Sequence, residues 1–303
     1  YSDTSGNFRS AFMEANSTVS SGGAKYVFSN YTVNIASDIS FNNSMHTTSY
    51  NTIFKGQLNG NGYTLSGLSY RQSSSVTATQ KDFGLFNTLE NATVTNLNLT
   101  IASEISIRAR HIGSIAGTLR DVYAENITIS GETQNSSITG LNMAGALAGL
   151  VLGDSEIRNI ESTISVNAIN ATSASGNYSY YYRNALNVSE SDFSYAGGII
   201  GVLDLNEEDN SAENPRVQNL RTRGNANIFA EIAGGIIGVI DQKSEAKQLE
   251  FVIDTEDENA PNINGSNFAG GLVGENRGRV MQSRVGMEIS KQISLDEQIS
   301  TTD

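Results

Sequence analysis

The chain has 303 residues, 38% hydrophobic and 17% charged, which is apolar enough for a large core and too weakly charged for a disordered acidic tail. Its 19 basic and 32 acidic residues leave a net charge of -13, which repels phosphate backbones and argues against nucleic-acid binding. Cysteine is absent, excluding disulfides, thiol nucleophiles and cysteine-ligated zinc, and no apolar run approaches the roughly 20 residues needed to insert across a bilayer.

The opening YSDTSGNFRS has neither an initiator Met nor a charged-then-apolar leader, so it reads as the start of a processed or trimmed fragment. If residues 7–16 are helical, Phe8, Phe12 and Met13 share one face, with Gly22 and Gly23 beyond. Residues 1–22 are therefore expected to form a short helical cap closing the apolar end of a stack, and 23–303 its body. The C-terminal stretch from Met287 to Asp303 is polar and has no such device, so the parent polypeptide is expected to continue.

A repeat dominates the body. Ala-Gly-Gly-Ile-Ile-Gly at 196–201 recurs unchanged at 233–238 and returns as Ala-Gly-Gly-Leu-Val-Gly at 269–274. Weaker copies start at Asp82, Ile112 and Ala144, spaced by about 30–37 residues apart from one longer interval, the signature of a stacked array. Each copy precedes a second alternating segment, as in Val94 to Leu99, Ile157 to Ile160, Val217 to Leu220 and, more loosely, Val280 to Gln282. Alternation puts one face in a core and the other in water. Glycines flanking the apolar pair suit tight corners and close backbone approach. Asn at one stage of several repeats fits either an internal hydrogen-bond ladder or turns of positive φ. Helical periodicity is missing from the body, and two short strands per repeat suit a solenoid turn better than a four-stranded propeller blade.

These residues carry a family resemblance. Phe54 to Leu68, followed by Gly84-Leu85-Phe86 and Ala92 to Leu97, resembles the entry motif of the GLUG-repeat family of bacterial surface proteins, and Gly-Gly-Leu-Val-Gly at 270–274 is similar to its repeat signature. The resemblance covers roughly 54–290 and implies a right-handed parallel β-helix, the hand expected of parallel connections. It supplies no catalytic residue. Similar repeats occur in haemagglutinin-like adhesins and beside the catalytic domains of metallopeptidases that cleave immunoglobulin A. Long insertions near 170–195 and 204–216 depart from the pattern.

The first insertion holds Tyr178, Tyr180, Tyr181, Tyr182 and Arg183, flat amphipathic side chains suited to stacking on sugars or filling a partner's pocket; the plain alternative is a loop packed on the rod. The second holds Asp204, Asn206, Glu208 and Asp209, oxygen-rich enough for calcium but without the glycine and spacing of an EF-hand, so solvated surface is the competing reading. No other cofactor is implied. Eleven Asn-x-Ser/Thr sequons, at Asn16, Asn30, Asn42, Asn91, Asn98, Asn126, Asn135, Asn170, Asn177, Asn187 and Asn264, are candidate glycosylation sites and mild support for an extracellular home.

Catalytic motifs are missing. His46 and His111 are the two histidines, and there is no His-Glu-x-x-His, Gly-x-Ser-x-Gly or phosphate-binding loop. The enzyme rival is a glycoside hydrolase or lyase, for which Asp82, Asp121 and Asp154 recur at comparable stages of successive repeats, near Arg108, Arg110 and His111. The expectation is an all-β solenoid and a non-catalytic extracellular module, structural or adhesive, binding a host or neighbouring-cell glycan or protein, or other surface-protein domains. A spacer or filament subunit is the remaining alternative.

Overall fold

The structure, a computed structural model, describes residues 25–27, 32–41, 52–72, 80–169, 193–204, 215–224, 226–254 and 261–288. Among these there are strands and turns but no helix. Strands one repeat apart pair in parallel. The chain is therefore an all-β parallel helix. The expected cap at 1–22 lies outside the described residues.

One coil illustrates the path. Met143–Gly145 leads through a reversal at 146–147 into Ala148–Leu152, then round a corner at 153–155 into Glu156–Ser162 and on to Ser165–Ala168. The strands equivalent to Ala148–Leu152 make an eight-stranded sheet from Lys25–Val27 to Val273–Asn276. Alternation inside each strand sends the same side of successive coils inward, so like residues stack in columns. Phe54, Leu89, Leu119, Val151, Leu203 and Ile240 form one such column, and Leu97, Ile127, Ile160, Leu220 and Leu249 another. All are at most 1% exposed. At about 1.5–3 kcal/mol per buried large aliphatic or aromatic side chain, this shaft is the main source of stability.

The repeat motif itself builds the reversal. At Ala196 to Gly201 the chain doubles back so sharply that strands Tyr195–Gly197 and Ile200–Leu203 lie against each other. A Cβ on Gly197 would overlap the Ile200 carbonyl oxygen and sit 2.7 Å from the Gly238 nitrogen of the next coil; one on Gly201 would sit 2.5 Å from the Gly149 oxygen. The glycines are close-approach positions, which is why the motif repeats so faithfully.

The recurrent Asn answers both readings offered for it. Asn96, Asn126, Asn159 and Asn219 all have φ between 53° and 56°, bending the strand where a left-handed residue is needed. Their amides also chain from coil to coil: Asn126 Nδ2 donates to Asn96 Oδ1 at 3.1 Å, Asn159 to Asn126 at 3.0 Å and Asn219 to Asn159 at 2.7 Å. The ladder is external, however, with all four residues exposed, because the bend turns their side chains away from the shaft. Replacing Asn159 by Ala removes two of these bonds and leaves a Cβ residue without side-chain support in the left-handed region. We expect a loss of about 1–2 kcal/mol in urea unfolding, with Asn159→Gly losing clearly less because the backbone strain is absent. Equal losses for the two variants would show that backbone strain plays no part.

Candidate functional site

The corners after three successive strands of the eight-stranded sheet each hold one residue at positive φ: Asn91 (49°), Asp121 (52°) and Gly153 (64°). Short polar side chains and glycine tolerate this conformation. The Asp121 carboxylate leans over the next coil, where its Oδ1 accepts the Asp154 backbone N–H at 2.8 Å. A Cβ on Gly153 would overlap that oxygen, so a side chain there would displace the Asp121 carboxylate.

Immediately beyond the corners, Thr93, Tyr123, Glu156 and Arg216 stack in register at the start of the next strand. Together with Asn91, Asp121 and Asp154 they line an open trough of about 340 Å³ running along the stack. Arg216 Nη2 lies 3.4 Å from Asp154 Oδ1, both side chains being half exposed. Tyr123 donates its hydroxyl to Glu125 at 2.8 Å; that bond pushes the phenol pKa up, so the hydroxyl stays protonated. The trough thus presents carboxylates, amide, hydroxyl, guanidinium and one phenol ring on a rigid backbone.

Of the three aspartates that the repeat groups together, the structure brings only Asp121 and Asp154 to one place. Asp82 belongs to strand Gln80–Phe83, before the reversal, whereas Asp121 follows the strand after it. Asp82 is buried, and its Oδ1 accepts hydrogen bonds from His111 Nδ1 at 2.7 Å and from the Thr118 hydroxyl at 2.5 Å. Burial pushes this carboxyl pKa up, but the hydrogen bond and charge of His111, aided by Lys81 and Thr118, outweigh it and hold the group below its ordinary range. Thr118 approaches the same imidazole nitrogen that faces Asp82. A nucleophilic triad needs its hydroxyl on the opposite nitrogen. Arg108 and Arg110 are half-buried on the adjoining turn and strand.

The column that begins with Asp82 and His111 continues as Met143, Tyr195, Ile232 and Phe268. Across the reversal it faces Thr88, Thr118, Leu150, Val202, Val239 and Glu275. From Met143 to Val239 these residues form a second apolar cluster, separate from the main core, with Phe193 packed on it. Reading the repeat missed it, although the residue just before each motif and the one just after its last glycine carried the signal.

The tyrosine and arginine candidates Tyr178, Tyr180, Tyr181, Tyr182 and Arg183 lie outside the described residues, as do Asn206, Glu208 and Asp209. Asp204 is described and is 5% exposed, its N–H donating to the Val151 oxygen, a setting built into the stack instead of projecting from it. By its anchors, Asp204 and Pro215, the second insertion joins the same row of corners as the trough. No group of three His, Asp or Glu side chains arranged to hold a metal occurs among the described residues. Of the sequons, Asn91, Asn126, Asn135 and Asn264 are exposed and Asn98 half-buried, with Asn98 Nδ2 donating to the Gly62 oxygen at 2.7 Å; Asn16, Asn30, Asn42, Asn170, Asn177 and Asn187 lie outside the described residues. Asn98 and Asn126 sit in strands, as expected, with their side chains on the outer side.

Neither family models nor curated proteins match this chain. Among solved structures, a protein of Bacteroides ovatus named as a putative immunoglobulin A1 protease is similar at 15% identity and a TM-score of 0.42, over 94% of this chain and 77% of that one.

Proposed function

We propose that this protein is a non-catalytic, extracellular binding module that holds a glycan in the trough formed by Asn91, Asp121, Tyr123, Asp154, Glu156 and Arg216. The observation that carries the reading is that stacked corners place hydrogen-bonding groups of both kinds beside an aromatic ring along an open channel. Sugars are recognised by such planar and bidentate polar contacts, and strands of a solenoid hold them with little ordering entropy left to lose. The rival, glycoside cleavage, needs one carboxyl kept protonated in an apolar setting. The trough carboxylate best placed in view, Asp154, is half exposed and beside Arg216.

Incubating the whole chain with an immobilised glycan array while following both retention and product release tests this reading. Retention without products is expected, and the Tyr123→Ala/Arg216→Ala variant should weaken it by about tenfold or more, the scale of losing two contact residues of a binding site. Absence of retained glycan, or appearance of cleaved products, would sink the proposal. Loss of binding on deleting 176–183 with the trough intact would transfer the site to the tyrosine-rich insertion.

A further inference from the structure

Two of the three carboxylates that line the trough have a guanidinium beside them. Asp154 has Arg216 at 3.4 Å, and Glu156 bonds to Arg158 on its own strand. Asp121 differs. Its Oδ1 accepts the uncharged Asp154 N–H, and among the described residues no cation pairs with it. The residues at this place in the preceding coil, Asn91 and Thr93, are uncharged, and Arg120 lies on the strand before the corner, in register with Glu90 and outside the trough.

The position of this carboxylate is built into the stack. Glu90, Arg120 and Leu152 are in register, as are Thr93, Tyr123 and Glu156, so two residues separate these rows in the first two coils and three in the third. The extra residue leaves Asp154 exposed at the corner, with its N–H bonded to Asp121. One oxygen of Asp121 is thereby held, while the other accepts no hydrogen bond from a described residue. Two positions further along, Tyr123 lines the same trough with its hydroxyl committed to Glu125, so what the phenol offers a ligand is chiefly its ring.

We infer, resting on the glycan-binding role proposed above, that the trough selects glycans bearing free amino groups. An ammonium group of the ligand sits against Asp121, and the sugar ring that carries it packs on Tyr123. The ligand then supplies the one cation that the trough carboxylates lack, and an ammonium is also attracted to the face of a phenol ring. Acetylating the amine removes that charge and leaves Asp121 to shed water without a charged partner. A glycan of uronic acids fits worst, since it meets three carboxylates against one guanidinium in the lining, on a chain of net charge -13. The competing account is that Asp121 serves the corner alone, through its bond to the Asp154 N–H, and that the charge of the glycan is immaterial.

The test uses the whole chain and three fluorescent oligosaccharides of equal length: an oligomer of glucosamine, the same oligomer with every amine acetylated, and an oligouronate. Anisotropy titrations at low salt should rank them in that order, the amine form binding about fivefold more tightly than the acetylated one, the scale of one ion pair at an open site. Asp121→Asn copies Asn91 of the preceding coil and keeps an oxygen for the Asp154 N–H, so it should fold normally, checked by thermal unfolding, and bring that ratio close to one. Glu104→Gln, at the far end of strand Thr93–Ser106, removes the same charge from the chain and should leave the ratio unchanged. A ratio near one in the unaltered protein, a preference for the acetylated or uronate oligomer, or a preference that survives Asp121→Asn or falls equally with Glu104→Gln would overturn the inference. Binding of none of the three, while the array retains another glycan, would overturn it too and leave the binding role standing; an array that retains nothing removes that role itself.

Discussion

Gly197→Ala is expected to destabilise the protein by roughly 4 kcal/mol or more, enough to abolish cooperative folding or soluble expression. The added methyl group meets backbone on two sides, the Ile200 oxygen of its own reversal and the Gly238 nitrogen of the next coil. Neither can yield without separating strands that stack along the whole sheet, and interiors packed at crystal-like density have no void to absorb the shift. Gly286→Ala is the matched control. Its Cβ would meet nothing within 4 Å, and a change within about 0.5 kcal/mol is expected. Thermal unfolding of the two variants decides the matter: similar midpoints would mean that the reversal is looser than its geometry implies, and that the repeat is retained for another reason.

His111→Met should be the more damaging of two related changes. Methionine is what the next coil carries in this column, at Met143, so shape is not the difficulty. The damage comes from Asp82, left as a buried carboxylate without its imidazole hydrogen-bond partner, a loss on the order of 1–3 kcal/mol. Adding Asp82→Ile, which copies Ile232 from the same column, should restore most of that stability by extending the second apolar cluster by one coil. A double variant as unstable as the single one would show that the polar network does more than satisfy itself.

The same cluster sets an acid limit. Because the folded pKa of Asp82 lies below its unfolded value of 3.8, its stabilisation is fully present above that value and is lost as pH falls through the folded one. An Asp82→Asn variant should therefore lack this portion of the acid destabilisation, seen as a flatter dependence of unfolding midpoint on pH below 4.

Much of this was legible before any coordinate. The six-residue repeat, its spacing and the alternating segments after it specified stacked parallel strands, because a solenoid writes each layer of its core into the chain once per turn. The left-handed bend at Asn96, Asn126, Asn159 and Asn219 was one of the two readings that the recurrent Asn allowed, since few residues other than Asn and Gly adopt it easily. What misled was grouping Asp82 with Asp121 and Asp154 as one stage of the repeat. Asp82 opens its copy, whereas Asp121 lies nine residues beyond Ile112, and the reversal between these two stages sends one carboxylate into a buried pair and the other to a solvent-facing corner.

The sequence by itself thus determined the architecture, the interior columns and the glycine-lined reversal, all of which depend on local periodicity and on the steric needs of single residues. Tertiary structure alone decided which polar groups meet: the trough of Asp121, Asp154 and Arg216, the Asp82–His111–Thr118 cluster, and the charge column of Glu161, Arg221, Glu250 and Arg284. The physical reason is that these contacts run across coils, between residues some 29 to 62 positions apart. Their partners are set by the register in which one turn settles on the next, and no single repeat encodes that register.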